Sequence, residues 1–332
     1  MFWGPGGVGK RLAALEMAKA VNCAKGTGDA CDTCLSCRKV ASGNHPDVKI
    51  VAPVKKSRII NVETIEGVNE FAALRAYESK WRVFVILDAD RMGLEAQNHF
   101  LKTLEEPPGA SLFLLVTEYP RRLLPTIRSR CQMLRFGALR PETVVDLLQA
   151  QRDLPLEVAR SVAAVAQGQM SRALDLVDSE KRDIVIEIAR RLSENDDPMA
   201  LAEEFSKGLE ARREQLAAAV KAETDTEASE DASRDDKKRL KEEQLALVDE
   251  LSRREILDYL YLFETWYRDE LVFQAAGNDH QILNQDHAAR IRQAKPSDAG
   301  KKIRAVEQAR VYLERFINEE RVFRDLFFSL AE

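Results

Sequence analysis

Apolar positions follow two regimes along the chain. Up to residue 136, short continuous apolar runs alternate with helical spacings. "LAALEMAKAVN" (12–22) carries its apolar residues at i, i+3 and i+4 and predicts a helix. "GNHPDV" (43–48) is turn-rich and leads into a short strand, "KIVAP" (49–53). "IINVETIEGVNEFAALRAY" (59–77) predicts a helix starting near Asn61 with an Asn or Thr cap. "WRVFVILDAD" (81–90) is a continuous apolar run ending in acids, as expected of a parallel strand buried on both faces. An amphipathic helix, "LEAQNHFLKTLEE" (94–106), is stopped by Pro107 and Pro108. "SLFLLVT" (111–117) is another buried strand, and "LLPTIRSRC" (123–131) with "QMLRF" (132–136) gives a short helix and a last strand. Strands alternating with helices predict a doubly wound α/β domain with a parallel sheet.

After "LRPETVVDLLQAQ" (139–151) no strand pattern returns. Gly168 breaks the helical pattern before "MSRALDLVD" (170–178), and long apolar periodicities run from Ile184 onward. Seven acids, one base and no large apolar residue lie between Glu223 and Asp236. That stretch cannot bury itself, and reads as a disordered insert or the solvated crest of a long helix. Aromatic stripes in 238–273 and 305–330 read as core or subunit contact.

Composition narrows the class. With 332 residues, two or three domains are expected, and 45% hydrophobic with 32% charged residues is ordinary globular usage. No apolar run approaches the ~20 residues that span a bilayer, so no membrane partner is expected. A net charge of −5 argues against a uniformly basic nucleic-acid coat. Four of the five cysteines fall within residues 23–37, which points to a metal cluster in a reducing cytoplasm rather than a disulfide framework.

"FWGPGGVGKR" (2–11) fits the phosphate-loop spacing through Gly4, Gly9 and Lys10. Gly4, Gly6, Gly7 and Gly9 would let backbone N–H groups turn towards phosphate oxygens, with Lys10 reaching the β and γ phosphates. The hydroxyl that would ligate Mg²⁺ is replaced by Arg11. Only Met1, Phe2 and Trp3 precede the loop. Since Phe2 and Trp3 read like the end of a strand, a late start assignment with a truncated first strand is expected. Asp88 closes "VFVILD" where a second acid site belongs, although alone it equally suits a strand-end cap. Ala89 follows where a hydrolytic site would carry a carboxylate, and strand alternation would point Asp90 to the wrong side. ATP is therefore expected to bind weakly or not at all, at a degenerate site, and intrinsic ATPase is not expected.

Cys23, Cys31, Cys34 and Cys37 form C-x₇-C-x₂-C-x₂-C. Four thiolates suit tetrahedral, structural zinc with no open position, an iron–sulfur cluster being the alternative. His45 nearby reads as a turn residue and Cys131 as a small core residue. Arg130 in "SRC" could offer a planar charge to a phosphoryl group on a neighbouring subunit, or be a helix-terminal surface arginine.

"GPGGVGK" (4–10), the four cysteines, "HPD" (45–47), "LKTLEEPP" (101–108), "LPTIRSRC" (124–131) and the following Phe136 together resemble, in their order, the bacterial clamp-loader subunits of DNA polymerase III. The resemblance covers about the first 175 residues closely. It implies an α/β P-loop (AAA+-like) domain over 1–137 with a zinc module at 23–37. A small helical lid over 138–180 and an all-α C-terminal collar domain over 181–332, carrying the acidic insert 223–236, would follow. Arg11, Ala89 and Ser171, with Arg172 one step past the sensor arginine's place, resemble the delta-prime branch rather than the gamma and tau motors. Thr117 stands where the family has its first sensor. By this resemblance Arg130 would act as an arginine finger in trans on ATP held by an adjacent motor subunit. The implied partners are gamma/tau and delta subunits, the sliding clamp, and primed DNA through the complex. The open alternatives are an active gamma/tau-type motor and a zinc-dependent nucleic-acid-binding module.

Overall fold

Strand β3 (Arg82–Ile86) is buried at every position, and its alternating side chains feed two cores. Val83 and Val85 pack with Phe2, Ala14, Ala18, Val40, Leu114 and Val116 on one face. Phe84 and Ile86 pack with Ile65, Val68, Phe100, Leu115 and Ile127 on the other. This double burial explains the continuous apolar run. The computed structural model describes residues 1–53, 59–225, 234–277, 281–293 and 298–332.

Two compact units divide the chain: Met1–Leu139 with Gln169–Ser171, and Arg140–Gly168 with Arg172–Glu332. The first unit contains β1 (Phe2–Trp3), β2 (Val48–Val51), β3, β4 (Ser111–Thr117) and β5 (Leu134–Arg135) in the sheet order β2-β3-β4-β1-β5. All described pairings are parallel, so the expected α/β architecture is present. The two-residue β1 lies between β4 and β5, pairing Phe2 with Val116 and Leu134. Helices α1 (Lys10–Val21) and α2 (Leu35–Ala41) cover one face. On α1, fully buried Ala14 and Ala18 let the helix lie close to the sheet. Helices α3 (Val62–Ala73), α4 (Leu94–Glu105) and α5 (Pro125–Ser129) cover the other. Asn61 caps α3 by accepting from Thr64 N at 3.0 Å, as its position in the sequence predicts.

The ends of β1, β3 and β4 that carry Trp3, Ile86 and Thr117 lie on one edge of the sheet, where parallel α/β proteins bind ligands. Gly4 leaves β1 at φ 149°, and a Cβ there would lie 2.0 Å from the Phe136 carbonyl oxygen, so only glycine fits this exit.

The second unit is helical among the described residues. It contains α6 (Pro141–Arg152), α7 (Leu156–Ala166), most of α8 (Met170–Asp178), α9 (Lys181–Ser193), α10 (Pro198–Asp225), α11 (Arg234–Ala276), α12 (Ala288–Gln293), α13 (Ala299–Glu314) and α14 (Glu319–Ala331). Its aromatic residues form a core: Phe205 packs edge-on to Tyr259 and Phe323, and Phe263 meets Phe327 at 5.7 Å. Arg182 binds Asn284 and Asp286, while Asp286 N donates to Ser161 Oγ at 3.0 Å, tying α9 and α7 to one loop. Of the acidic stretch 223–236, residues 226–233 lie outside the described residues. No described helix is long and apolar enough to cross a membrane.

Candidate functional site

The glycine-rich loop joins β1 to α1, so its backbone stands at a helix N-terminus, a position suited to anions. Gly7 and Gly9 adopt φ 70° and 90°, the left-handed conformation that turns the loop. Lys10 is buried and donates from Nζ to the carbonyl oxygens of Gly4, at 2.8 Å, and Pro5. Burial lowers its pKa, opposed by the charges of Glu118, Asp88 and Asp90. Arg11 is exposed on the first turn of α1, where the missing hydroxyl would stand.

Strand β3 stops at Ile86, two residues before the acid. Asp88 takes a left-handed conformation (φ 46°, ψ 47°) and opens a short 3₁₀ turn over Ala89–Arg91. That turn corrects the reading of Asp90. Strand alternation no longer applies beyond Leu87, and Asp90 turns its carboxylate to accept from Thr117 Oγ1. Thr117 is fully buried, and its hydroxyl also accepts from Tyr119 N at 3.1 Å. Ala89 is fully buried and offers no polar group. Hence Asp88, Asp90 and Lys10 do gather at one sheet edge, but the carboxylate expected of a hydrolytic site is absent at position 89.

Ser171 lies against the loop, its N–H donating to Gly7 O at 3.3 Å. Arg172, in the helical unit, lays its guanidinium 4.3 Å from the centre of the Tyr261 ring. Arg130 follows α5 and pairs through Nη2 with Glu105 Oε1 at 2.6 Å. Its Nη1 also donates to Thr126 O at 3.1 Å. Glu105 lies in the "LKTLEEPP" run, but the spacing of that run gave no sign of this pairing.

The sulfur atoms of Cys23, Cys31, Cys34 and Cys37 all lie within 4.8 Å of one another. A tetrahedral ion at ~2.3 Å from each sulfur needs them about 3.8 Å apart, so the set fits. Backbone geometry favours charged sulfur: Cys34 N donates to Cys31 Sγ and Cys37 N to Cys34 Sγ, each at 3.4 Å. The second contact also caps α2. A hydrogen bond from the Thr33 hydroxyl, with backbone N–H groups, draws the Cys31 thiol down to about 5, whereas burial pushes Cys37 up to about 11. Lys19 bridges from α1 to Asp32 at 2.8 Å and holds the cysteine loop to the helix before it. Cys131 packs against the sheet core and stands apart from the cluster.

His45 and Asp47 serve architecture. Asp47 is fully buried and accepts from the N–H groups of Tyr77, Glu78 and Ser79 at 2.6, 2.9 and 2.9 Å. The His45 ring accepts from Asp47 N at Nδ1, leaving Nε2 3.1 Å from the hydroxyls of Ser36 and Ser79. The "HPD" turn thus ties the start of β2 to the segment before β3.

Fold and site together define a phosphate-loop α/β domain that carries a four-thiol module between its first two helices. Residues 1–140 match a family described as "DNA polymerase III, delta subunit". Over 163 residues the chain is 39% identical to DNA polymerase III subunit delta' of Bacillus subtilis, covering 49% of each chain. The delta' subunit of Pseudomonas aeruginosa is 33% identical over 163 residues, again 49% of each. The tau subunit of Bacillus subtilis is 33% identical over 187 residues, 54% of this chain and 32% of that one. Over its N-terminal region the chain is thus similar to DNA polymerase III clamp-loader subunits, the delta-prime type among them. The chain spans about half the length of the delta-prime relatives it matches.

Proposed function

We propose that this chain is the stator of a clamp loader: a delta-prime-type subunit that helps load a sliding clamp on primed DNA without hydrolysing ATP itself. The observation that carries the reading is the double loss at one site, Arg11 for the metal-binding hydroxyl and buried Ala89 for the carboxylate that would orient water. A guanidinium adds repulsion to a cation in place of a ligand, so metal-assisted phosphoryl transfer has no support here. The remaining residues, Gly4, Gly6, Gly7, Gly9, Lys10 and Asp88, keep the form of a nucleotide site without its engine.

Arg130 acts in trans on ATP held by a gamma or tau neighbour, where its planar, permanently charged group stabilises the transferred phosphoryl. The reading is supported by its exposure beside the "SRC" helix and by relatives among both delta' and tau subunits. Cys23, Cys31, Cys34 and Cys37 hold a structural zinc, which fixes the loop 23–37 and supplies no chemistry. The helical unit provides a lid and a collar that joins gamma/tau and delta subunits in the cytoplasm.

Steady-state ATP hydrolysis tests this. The chain alone should be silent; a mixture with gamma or tau, delta, clamp and primed DNA should turn over, and Arg130→Ala should depress that turnover. Hydrolysis by the isolated chain, abolished by Lys10→Ala, would restore the motor reading.

A further inference from the structure

Of the glycines that should face phosphate, Gly9 is open, but Gly6 and Gly7 are already occupied on their open side. A Cβ on Gly6 would lie 2.6 Å from Glu118 Oε1, and one on Gly7 would lie 2.1 Å from Ser171 Oγ. Both approaches depend on the missing side chains, the feature that in a working loop admits phosphate oxygens. Here a carboxylate and a hydroxyl have come in instead. Lys10, the cation that would meet the phosphates, is turned onto the carbonyl oxygens of Gly4 and Pro5.

Glu118 is delivered there by its neighbours. It follows Thr117 at the end of β4, and Thr117 fixes the turn through Asp90 on one side and Tyr119 N on the other. The Glu118 side chain forms no ion pair or hydrogen bond among the described residues, so its place against Gly6 serves no evident role in holding the fold together. Of the charges acting on Lys10, that of Glu118 is the largest, ahead of Asp88 and Asp90.

We propose that Glu118 is an internal counter-anion of the glycine-rich loop, which holds its carboxylate against Gly6 and thereby excludes the phosphates of a nucleoside diphosphate or triphosphate. This rests on the stator reading and deepens it. Loss of hydrolysis follows from positions 11 and 89, whereas loss of binding follows from position 118. A phosphate and a carboxylate cannot share one small site, because like charges a few ångströms apart repel strongly where water is partly excluded. Replacing Glu118 by its uncharged isostere should therefore admit the anion.

Equilibrium binding of ADP to the full chain, followed by calorimetry, tests the proposal on wild type, Glu118→Gln and the Glu118→Gln/Lys10→Ala double variant. Glu118→Gln should bind ADP at least tenfold more tightly than wild type, with the gain lost in the double variant. Equal affinities for wild type and Glu118→Gln overturn the proposal, as does a gain that survives Lys10→Ala. Should the double variant not fold, inorganic pyrophosphate serves as competitor. It should displace ADP from Glu118→Gln, and failure to do so places the gain outside the phosphate site and also overturns the proposal. Hydrolysis measured on the same samples separates the two readings. Turnover by wild type sinks the stator, whereas a silent wild type with unchanged binding in Glu118→Gln sinks only the role of Glu118.

Discussion

Arg130 and Glu105 form an ion pair, Nη2 to Oε1 at 2.6 Å, between the end of α5 and the end of α4. Both side chains are partly open to water, 36% and 49% exposed. An exposed pair of this kind contributes about 0–1 kcal/mol to stability. The pair therefore adds little to holding the fold.

Arg130→Ala should therefore leave the melting temperature nearly unchanged while lowering partner-dependent ATP turnover by about 10³-fold or more, the range of an arginine finger. Arg130→Lys should not rescue, because an ammonium lacks the planar fork. Glu105→Gln should have a smaller effect, visible in turnover and absent from the melting curve. A large loss of thermal stability in Arg130→Ala would show a structural arginine instead.

The four-thiol module predicts one zinc per chain by elemental analysis. Cys34→Ser and Cys37→Ser should lose the metal, while Cys131→Ser, away from the cluster, should keep it. Chelation should lower the melting temperature by about 5–10 °C, corresponding to about 2–3 kcal/mol for a domain of this size. A metal content near zero in freshly prepared wild type would count against the site.

Asp47 predicts an acid-sensitive joint. Burial opposes its charge, but the N–H groups of Tyr77, Glu78 and Ser79 and the Arg82 guanidinium outweigh that and hold its pKa below the ordinary carboxylate value. The folded chain then binds fewer protons at this group than the unfolded chain. Stability from Asp47 is present in full above about pH 4 and is lost as pH falls below it. Asp47→Ala should cost about 3–5 kcal/mol at pH 7, since it strands buried N–H groups and leaves Arg82 without its carboxylate. In urea titrations the difference between wild type and variant should shrink towards pH 3, and a constant difference would refute this account.

Much of the first unit was legible because local rules and tertiary environment agree there. The run 82–86 has to be buried on both faces, and the helix over 62–73 begins at the Asn61 that caps it. The cysteine spacing likewise has one compact solution, and the four sulfurs meet. These are short-range properties: periodicity, a cap, a ligand spacing. The sequence alone also determined the absence of a hydroxyl at Arg11, after the loop, and of a carboxylate at Ala89, after β3, because each depends on which functional group is present and not on where it points.

What the tertiary structure decided is where side chains from distant segments meet. Asp90 should point away by strand alternation, yet the left-handed residue Asp88 ends that alternation and brings Asp90 to Thr117. Glu118 reaches Gly6 across more than a hundred residues, and Glu105 reaches Arg130 from another helix end. Asp47 gathers N–H groups thirty residues downstream. No local pattern encodes such meetings. They arise because a parallel sheet brings the ends of β1, β3 and β4 to one edge, and the order of strands, not the order of residues, sets which charges stand together there.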